Sequence, residues 1–246
     1  MSFKDRENSI LDYLSQNREA SIEELCAKLF VSAPTIRRDL KALAEKGKII
    51  RTHGGALLNS PPWESTPQEV REKEFVTEKD IIASKALSLI NDGDTVMIDA
   101  SSTGLQLLKL LGAKSSIIVV TNSTKAPFIS PRVGVKAFVS GGEASKVSFA
   151  YVGTQAEMFI RSFNADICFF SVSALTPDGR LTDNSVAENQ ISKTMIECSK
   201  KSVLLLNSQK IGEAQLNTLC RVSDIDYIVS EKDISDLFPA YKEKFI

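Results

Sequence analysis

Ser32-Ala33-Pro34-Thr35-Ile36-Arg37-Arg38-Asp39-Leu40-Lys41-Ala42-Leu43 decides how the N-terminal part of the chain is read. Ile36, Leu40 and Leu43 recur at helical spacing and form one apolar stripe. Ser32 stands at the N-cap position, and Pro34 falls in the first turn, where a missing N–H costs nothing. Gly47 ends the helix. With the stripe inward, Pro34, Arg38 and Lys41 point outward and Arg37 sits at the edge. A helix of this size fits the major groove, where Arg reads guanine edges and Lys or Arg neutralises phosphate. Thr35, in the first turn, is placed to bond a phosphate or touch a thymine methyl. Taken alone, Arg37, Arg38 and Lys41 are equally a solvated charged face.

The flanks narrow the choice. Upstream, Ile10, Leu11 and Leu14 predict a helix over about residues 3–16. Ser21-Ile22-Glu23-Glu24 is a capping box opening a short second helix with Leu25 and Leu29 inward. Downstream, residues 48–58 (KIIRTHGGALL) read as a β-hairpin turning at Gly54-Gly55, with Arg51 and His53 reaching the neighbouring DNA backbone or minor groove. Three helices and a hairpin make a winged helix-turn-helix over residues 1–58. Residues 59–67 (NSPPWESTP) carry Pro61, Pro62 and Pro67 and read as a stiff linker. Trp63 is expected to pack on a domain face.

Residues 68–246 alternate strands and helices. Helices are expected at 77–90, 103–111, around 153–163 and at 187–199. Strands are expected at 95–98, 117–120, 135–139, 167–172, 203–206 and 227–229. The strands are short, nearly continuous apolar runs, as in a parallel sheet covered on both faces. The fold class is α/β, a small winged helix followed by a larger domain with a mainly parallel sheet.

Among the 246 residues, 30 Lys/Arg oppose 31 Asp/Glu, which excludes binding nucleic acid by bulk charge. Residues 1–60 nevertheless hold ten basic against eight acidic side chains. A content of 43% hydrophobic and 25% charged residues excludes disorder and collagen-like structure. The start, MSFKDRENSI, has charges where a signal peptide needs an apolar run, so a cytosolic protein is expected. Cys26, Cys168, Cys198 and Cys220 are scattered and only one His is present, pointing to reduced thiols, no metal and no cofactor.

Ligands of open α/β sheets bind beyond the carboxyl ends of the strands, where helix N-termini favour anions. Asp99-Ala100-Ser101-Ser102-Thr103-Gly104 puts three hydroxyls and a glycine at such a place. A plain N-cap gives the same pattern. Thr121-Asn122-Ser123 and Gly141-Gly142-Glu143 end further strands.

Arg6, Ile10 and Leu14, then Ser32-x-x-Thr35-Ile36-Arg37-Arg38-Asp39-Leu40 and Arg51-Thr52-His53-Gly54-Gly55-Ala56, resemble the DeoR family of bacterial transcription regulators. The resemblance extends over essentially the whole chain. Arg71, Lys79, Asp99-x-x-Ser102-Thr103, Val120-Thr121-Asn122, Gly141-Gly142-Glu143, Gly179-x-Leu181-Thr182, Glu188 and Asn207-Ser208-Gln209-Lys210 all fall on its pattern. It implies an operator-binding regulator, read here as a repressor, and a homo-oligomer is expected because two-fold-related recognition helices read half-sites. It also implies a C-terminal domain of the ribose-5-phosphate isomerase and CoA-transferase type that senses a phosphorylated sugar. Thr35, Arg37 and Arg38 fall in the recognition helix, and Arg6 is expected to pair with Asp39. Ser101, Ser102 and Thr103 would hold phosphate with Lys210 as charge partner, while Asp99, Asn122 and Glu188 would touch sugar hydroxyls. Ser101, Ser171, Ala174 and Gln209 depart from the pattern; the first three add side chains where backbone would approach a ligand, leaving the effector's class open. Two other readings stand beside this one: a sugar-phosphate isomerase or transferase using Asp99, Asp183 or Glu188 as base, and a winged helix used for protein contact.

Overall fold

Ile36, Leu40 and Leu43 face inward from α3 (Ala33–Glu45), as their spacing requires. They meet Ile10 and Leu14 of α1 (Phe3–Asn17) and Leu25 of α2 (Ile22–Leu29) in one buried cluster. Ser21 caps α2 as expected: its hydroxyl accepts the Glu24 N–H at 3.1 Å, and the Glu24 carboxylate accepts the Ser21 N–H at 2.7 Å. At α3 the capping differs. Ser32 has N-cap backbone angles, but its hydroxyl pairs with that of Thr35 at 3.0 Å and caps no N–H.

Strands β1 (Glu19–Ser21), β2 (Ile49–Arg51) and β3 (Gly55–Leu58) form an antiparallel sheet in the order β1-β3-β2. The hairpin turn lies one step earlier than its glycines suggest. Arg51 pairs with Ala56, the Thr52 N–H donates to the Gly55 carbonyl at 3.0 Å, and Gly55 already belongs to β3. Gly55 is opposite Ser21, and a Cβ there would run into the Ala20 carbonyl. Gly55→Ala is therefore expected to cost ~1–3 kcal/mol by overpacking. Thermal unfolding that matches the parent would show that β1 yields freely.

The computed structural model describes residues 3–17, 19–58, 67–145 and 147–246. The chain divides into two compact units, Met1–Thr66 and Pro67–Ile246. Trp63 and the Pro-rich segment from 59 to 66 lie outside the described residues. No described helix is long and apolar enough to cross a membrane.

The second unit opens with α4 (Gln68–Arg71) and α5 (Val76–Leu87). Its main sheet consists of β4 (Thr95–Ile98), β5 (Ile118–Thr121), β6 (Lys136–Val139), β9 (Ile167–Phe170), β12 (Ser202–Leu206) and β14 (Tyr227–Ser230). The order is β14-β12-β9-β4-β5-β6, and every neighbouring pair is parallel. Alternate residues go to opposite faces. Val96, Ile98, Phe169 and Leu205 pack under α5 and α6 (Ser102–Leu110); Met97, Cys168, Phe170 and Leu204 pack under α8 (Thr154–Arg161) and α9 (Val186–Glu197). Two covered faces explain the continuous apolar runs in these strands. α7 (Ala126–Ile129) follows β5.

Two small antiparallel features escape the hydrophobic pattern. One is the hairpin β7 (Glu143–Ala144) with β8 (Tyr151–Val152). The other is the sheet β10 (Ala174–Leu175), β11 (Arg180–Asp183) and β13 (Asn217–Arg221). The strand expected to reach residue 172 stops at Phe170, where Ser171 turns its N–H toward the Asp99 carboxylate.

Candidate DNA interface and effector site

On α3, Arg37, Arg38 and Lys41 are exposed, between the buried positions Ile36, Asp39, Leu40 and Leu43. The Arg38 side chain is 73% exposed and 3.9 Å from Asp39; Lys41 is 3.9 Å from Glu45. Contacts at that separation, with the cations themselves largely exposed, hold the side chains weakly, so both cations remain available to a polyanion. Ser32 and Pro34 are exposed at the start of the helix and Thr35 is half-buried. Arg51 and His53 are exposed on the hairpin.

Ion pairs anchored on buried groups of α1 hold this surface in place. Arg6 of α1 grips Asp39 with two hydrogen bonds, Nε to Oδ2 at 2.6 Å and Nη2 to Oδ1 at 3.2 Å. Asp39 is fully buried. The expected pair between the first and third helices is thus present as a bidentate fork. One residue on, Glu7 receives Lys46 and Lys48, at 2.8 Å and 3.0 Å, fastening the end of α3 and the approach to β2 onto α1. These two lysines hold the Glu7 carboxyl below its ordinary range.

In the second unit, the ends of β4, β5, β9 and β12 converge. Asp99, just past β4, is buried, and burial raises its pKa against the pull of its hydrogen bonds. One oxygen accepts the N–H and hydroxyl of Ser101, at 3.0 Å and 2.5 Å, and the other accepts the Ser171 N–H at 2.8 Å. Asp99 therefore ties two strand ends together with both oxygens engaged. Ser101 is the N-cap of α6, accepting the Gly104 N–H at 3.0 Å. Ser102 and Thr103 are buried in its first turn. A Cβ on Gly104 would come within 2.9 Å of the Asp99 carboxylate, so the glycine lets helix and strand end meet.

Thr121 is buried, and its hydroxyl accepts the Ser123 N–H at 3.1 Å. Asn122 donates to the Tyr151 carbonyl at 3.0 Å. Gly141 and Gly142 lead into β7 with φ of 63° and 114°. Glu188, in the first turn of α9, is hydrogen-bonded to Ser148; burial raises its carboxyl, and the Arg71 charge opposes this. Lys210 donates to the Ser171 hydroxyl at 2.9 Å and to the Val172 carbonyl at 2.7 Å. Burial, reinforced by the charges of Arg71 and Lys79, lowers its pKa to about 8, against the attraction of Asp183 and Asp99.

Residues beyond the expected set complete the cluster. Arg71 donates to Gln68 at 3.0 Å, and Gln68 donates to the Ala100 carbonyl at 2.8 Å, which brings α4 to the end of β4. Asn207, at the end of β12, accepts the Gln209 N–H at 2.9 Å. Among the described residues, three buried polar side-chain atoms have no hydrogen-bond partner: Arg71 Nε, Asn122 Oδ1 and Asn207 Nδ2. Each such atom costs ~1–3 kcal/mol unless something meets it. Arg71 and Asn207 lay on the family pattern, but nothing in their local sequence marks them as binding residues; Ser148 carried no sequence signal.

A winged helix with exposed arginines on its third helix, followed by a parallel α/β unit with polar strand ends, defines a DNA-binding regulator with a sensing domain. Residues 6–62 match the DeoR-like helix-turn-helix domain and residues 74–232 the DeoR C terminal sensor domain. The chain belongs to the DeoR family of transcription regulators, and it is a regulator, not an enzyme. It is 31% identical to the HTH-type transcriptional regulator GolR of Listeria innocua, over 94% of this chain and 91% of that protein. It is 30% identical to the L-fucose operon activator of Haemophilus influenzae, over 97% and 96%. It is 31% identical to the glycerol-3-phosphate regulon repressor of the same organism, over 91% and 87%. Among solved structures, eIF2B delta from Chaetomium thermophilum superposes with a TM-score of 0.50 at 15% identity, over 68% of this chain and 60% of that one. Ribose 5-phosphate isomerase A from Methanocaldococcus jannaschii gives a TM-score of 0.41 at 15% identity, over 55% and 53%.

Proposed function

We propose that this regulator represses a carbohydrate operon, and that a phosphorylated sugar bound at the strand ends of the second unit sets its affinity for operator DNA. Relatives named for operons or regulons include an L-fucose operon activator, a putative aga operon repressor and a glycerol-3-phosphate regulon repressor, which supports a carbohydrate system and, through the last, a phosphorylated ligand. The observation that carries the reading is the set of unpartnered buried atoms on α4 and at the strand ends, a guanidinium N–H, an amide N–H and an amide oxygen, with the charge of Arg71 acting on Lys210. A sugar phosphate meets that set: phosphate oxygens accept from Arg71, Lys210 and the α6 N-terminus, and hydroxyls pair with Asn122, Asn207 and Glu188. Asp99, Ser101 and Thr121 then act by shaping the loops, and Gly141 and Gly142 bring backbone close. Ser102 and Thr103 supply N–H groups at the helix start.

The operator is read by Arg37, Arg38 and Thr35 in the major groove, while Ser32, Pro34 and Lys41 border it and Arg51 and His53 reach the flanking backbone. Two copies present paired half-site readers, so the chain works as a homo-oligomer in the cytoplasm, where its DNA lies. The ligand acts by binding the two operator-affinity states unequally.

The test is a thermal-shift screen of the full chain against sugar phosphates, free sugars and other phosphorylated metabolites, followed by operator binding with each hit. A saturable rise with one phosphorylated sugar, together with altered operator affinity, is expected; stabilisation by free sugars alone would refute the anion part. On the DNA side, Arg38→Ala is expected to cost ~1–3 kcal/mol of operator affinity and to relax preference at one base pair. Equal loss on every sequence would reassign Arg38 to phosphate.

A further inference from the structure

Phe30 occupies the turn between α2 and α3 in the left-handed region, with φ 54° and ψ 41°. In that region a Cβ crowds the following carbonyl, which is why glycine and asparagine usually take it. The ring is also 93% exposed. Phe75 in the other unit takes the same conformation, with φ 49°, but is about half as exposed, so what sets Phe30 apart is a ring held out in solvent at the head of α3.

Its surroundings indicate what covers it. Phe30 lies two residues ahead of Ser32, at the leading end of α3, and Lys28, Ser32 and Pro34 around it are exposed. Leu29 and Val31, its chain neighbours, pack against the domain core. Of the described large apolar side chains in this unit, Ile50 shares its exposure, and Ile50 is on β2. An exposed ring with one cation, one hydroxyl and a proline beside it in the chain is unlike the aromatic-rich centre of a protein interface. It suits a major-groove edge, where phosphates form the rim and the thymine methyl is the apolar feature of the bases.

We infer that Phe30 is a specificity-determining residue that packs on the methyl group of one thymine at the edge of each operator half-site. The inference rests on the placement of α3 in the major groove. It adds a readout from the turn, made by a side chain held in place by a costly backbone conformation.

The experiment begins with the full chain selecting duplexes from a random-sequence pool. Each thymine of the selected half-site is then replaced by deoxyuridine, which removes one methyl group and leaves base pairing intact. One replacement should weaken binding of the parent chain by ~4-fold, the worth of one buried methyl group. Phe30→Gly should bind the unmodified duplex weaker by a similar factor and be indifferent to that replacement. It should also melt at a higher temperature, because glycine accepts φ 54° without strain; Phe30→Asn should behave alike. Parental affinity in Phe30→Gly would overturn the inference, and so would an equal loss on all sequences, which puts the ring on sugar and phosphate. A change of oligomeric mass at constant affinity would make Phe30 a protein contact. Failure to select any duplex would instead overturn the operator reading of α3, and this inference with it.

Discussion

Asp39→Ala should cost ~3–5 kcal/mol and unfold the winged helix while the second unit stays folded. Asp39 is fully buried, and both of its oxygens are taken by Arg6 at 2.6 and 3.2 Å. Removing the carboxylate takes both of these hydrogen bonds from a guanidinium that is itself only 8% exposed. A whole domain is commonly stable by only ~5–15 kcal/mol, so the loss is a large share of what a unit of this size has. Asp39→Asn keeps the shape but loses the charge, and should fall between parent and alanine variant. Exchanging the partners, Arg6→Asp with Asp39→Arg, should recover part of what either reversal alone destroys. Circular dichroism during urea unfolding, with operator binding on the same samples, separates the cases. Alanine variants with parental stability would show that the fork is dispensable. An exchange that rescues nothing would show that the fit of the fork at this site, and not charge pairing alone, carries the stability.

The elements legible in the sequence are those long enough to carry a period. Ile36, Leu40 and Leu43 turn through one helix face, and Val203–Leu206 is an apolar run, so α3 and β12 could be placed before any coordinates. Strand β1 spans three residues, and β7, β8 and β10 two each, too short for alternation to register. The hairpin glycines pointed to a turn at Gly54-Gly55, yet Gly55 was needed for close approach to Ala20. The site shows the same division. Strand ends after β4 and β5 were visible as Asp99–Gly104 and Thr121–Ser123, because a parallel sheet gathers such ends on one side. Whether Ser101 caps a helix or holds a ligand was open in the sequence; its hydroxyl bonds Gly104 and Asp99. Arg71 comes from a short helix well before the sheet, and the Gln68 bond to Ala100, with the Lys125–Glu72 ion pair, brings it to the strand ends. Nothing local in the sequence encodes that meeting.

Lys210→Met should weaken binding of a phosphorylated sugar by about 10- to 100-fold, the worth of a charge-assisted hydrogen bond of ~1.5–3 kcal/mol. The pH dependence identifies the cause. Burial and the charges of Arg71 and Lys79 lower Lys210 to about 8 from its ordinary 10.5. An anion favours the protonated amine, so affinity should be high below pH 8 and fall as pH rises through it. The phosphate's own second ionisation, near ~6, is complete by then and cannot supply that step. Ligand-free stability should move the other way. A lysine whose folded pKa is depressed binds its proton more weakly in the folded chain than in the unfolded one. Its penalty is fully present below about 8 and is relieved as pH rises toward 10.5. Arg71→Met removes a like charge, so the affinity step should shift to higher pH even as overall affinity drops. Calorimetric titrations from pH 6.5 to 9.5 on parent, Lys210→Met and Arg71→Met would test the triad of observations. A flat profile in the parent, or an unchanged step in Lys210→Met, would remove Lys210 from the anion site. The anion would then be assigned to Arg71.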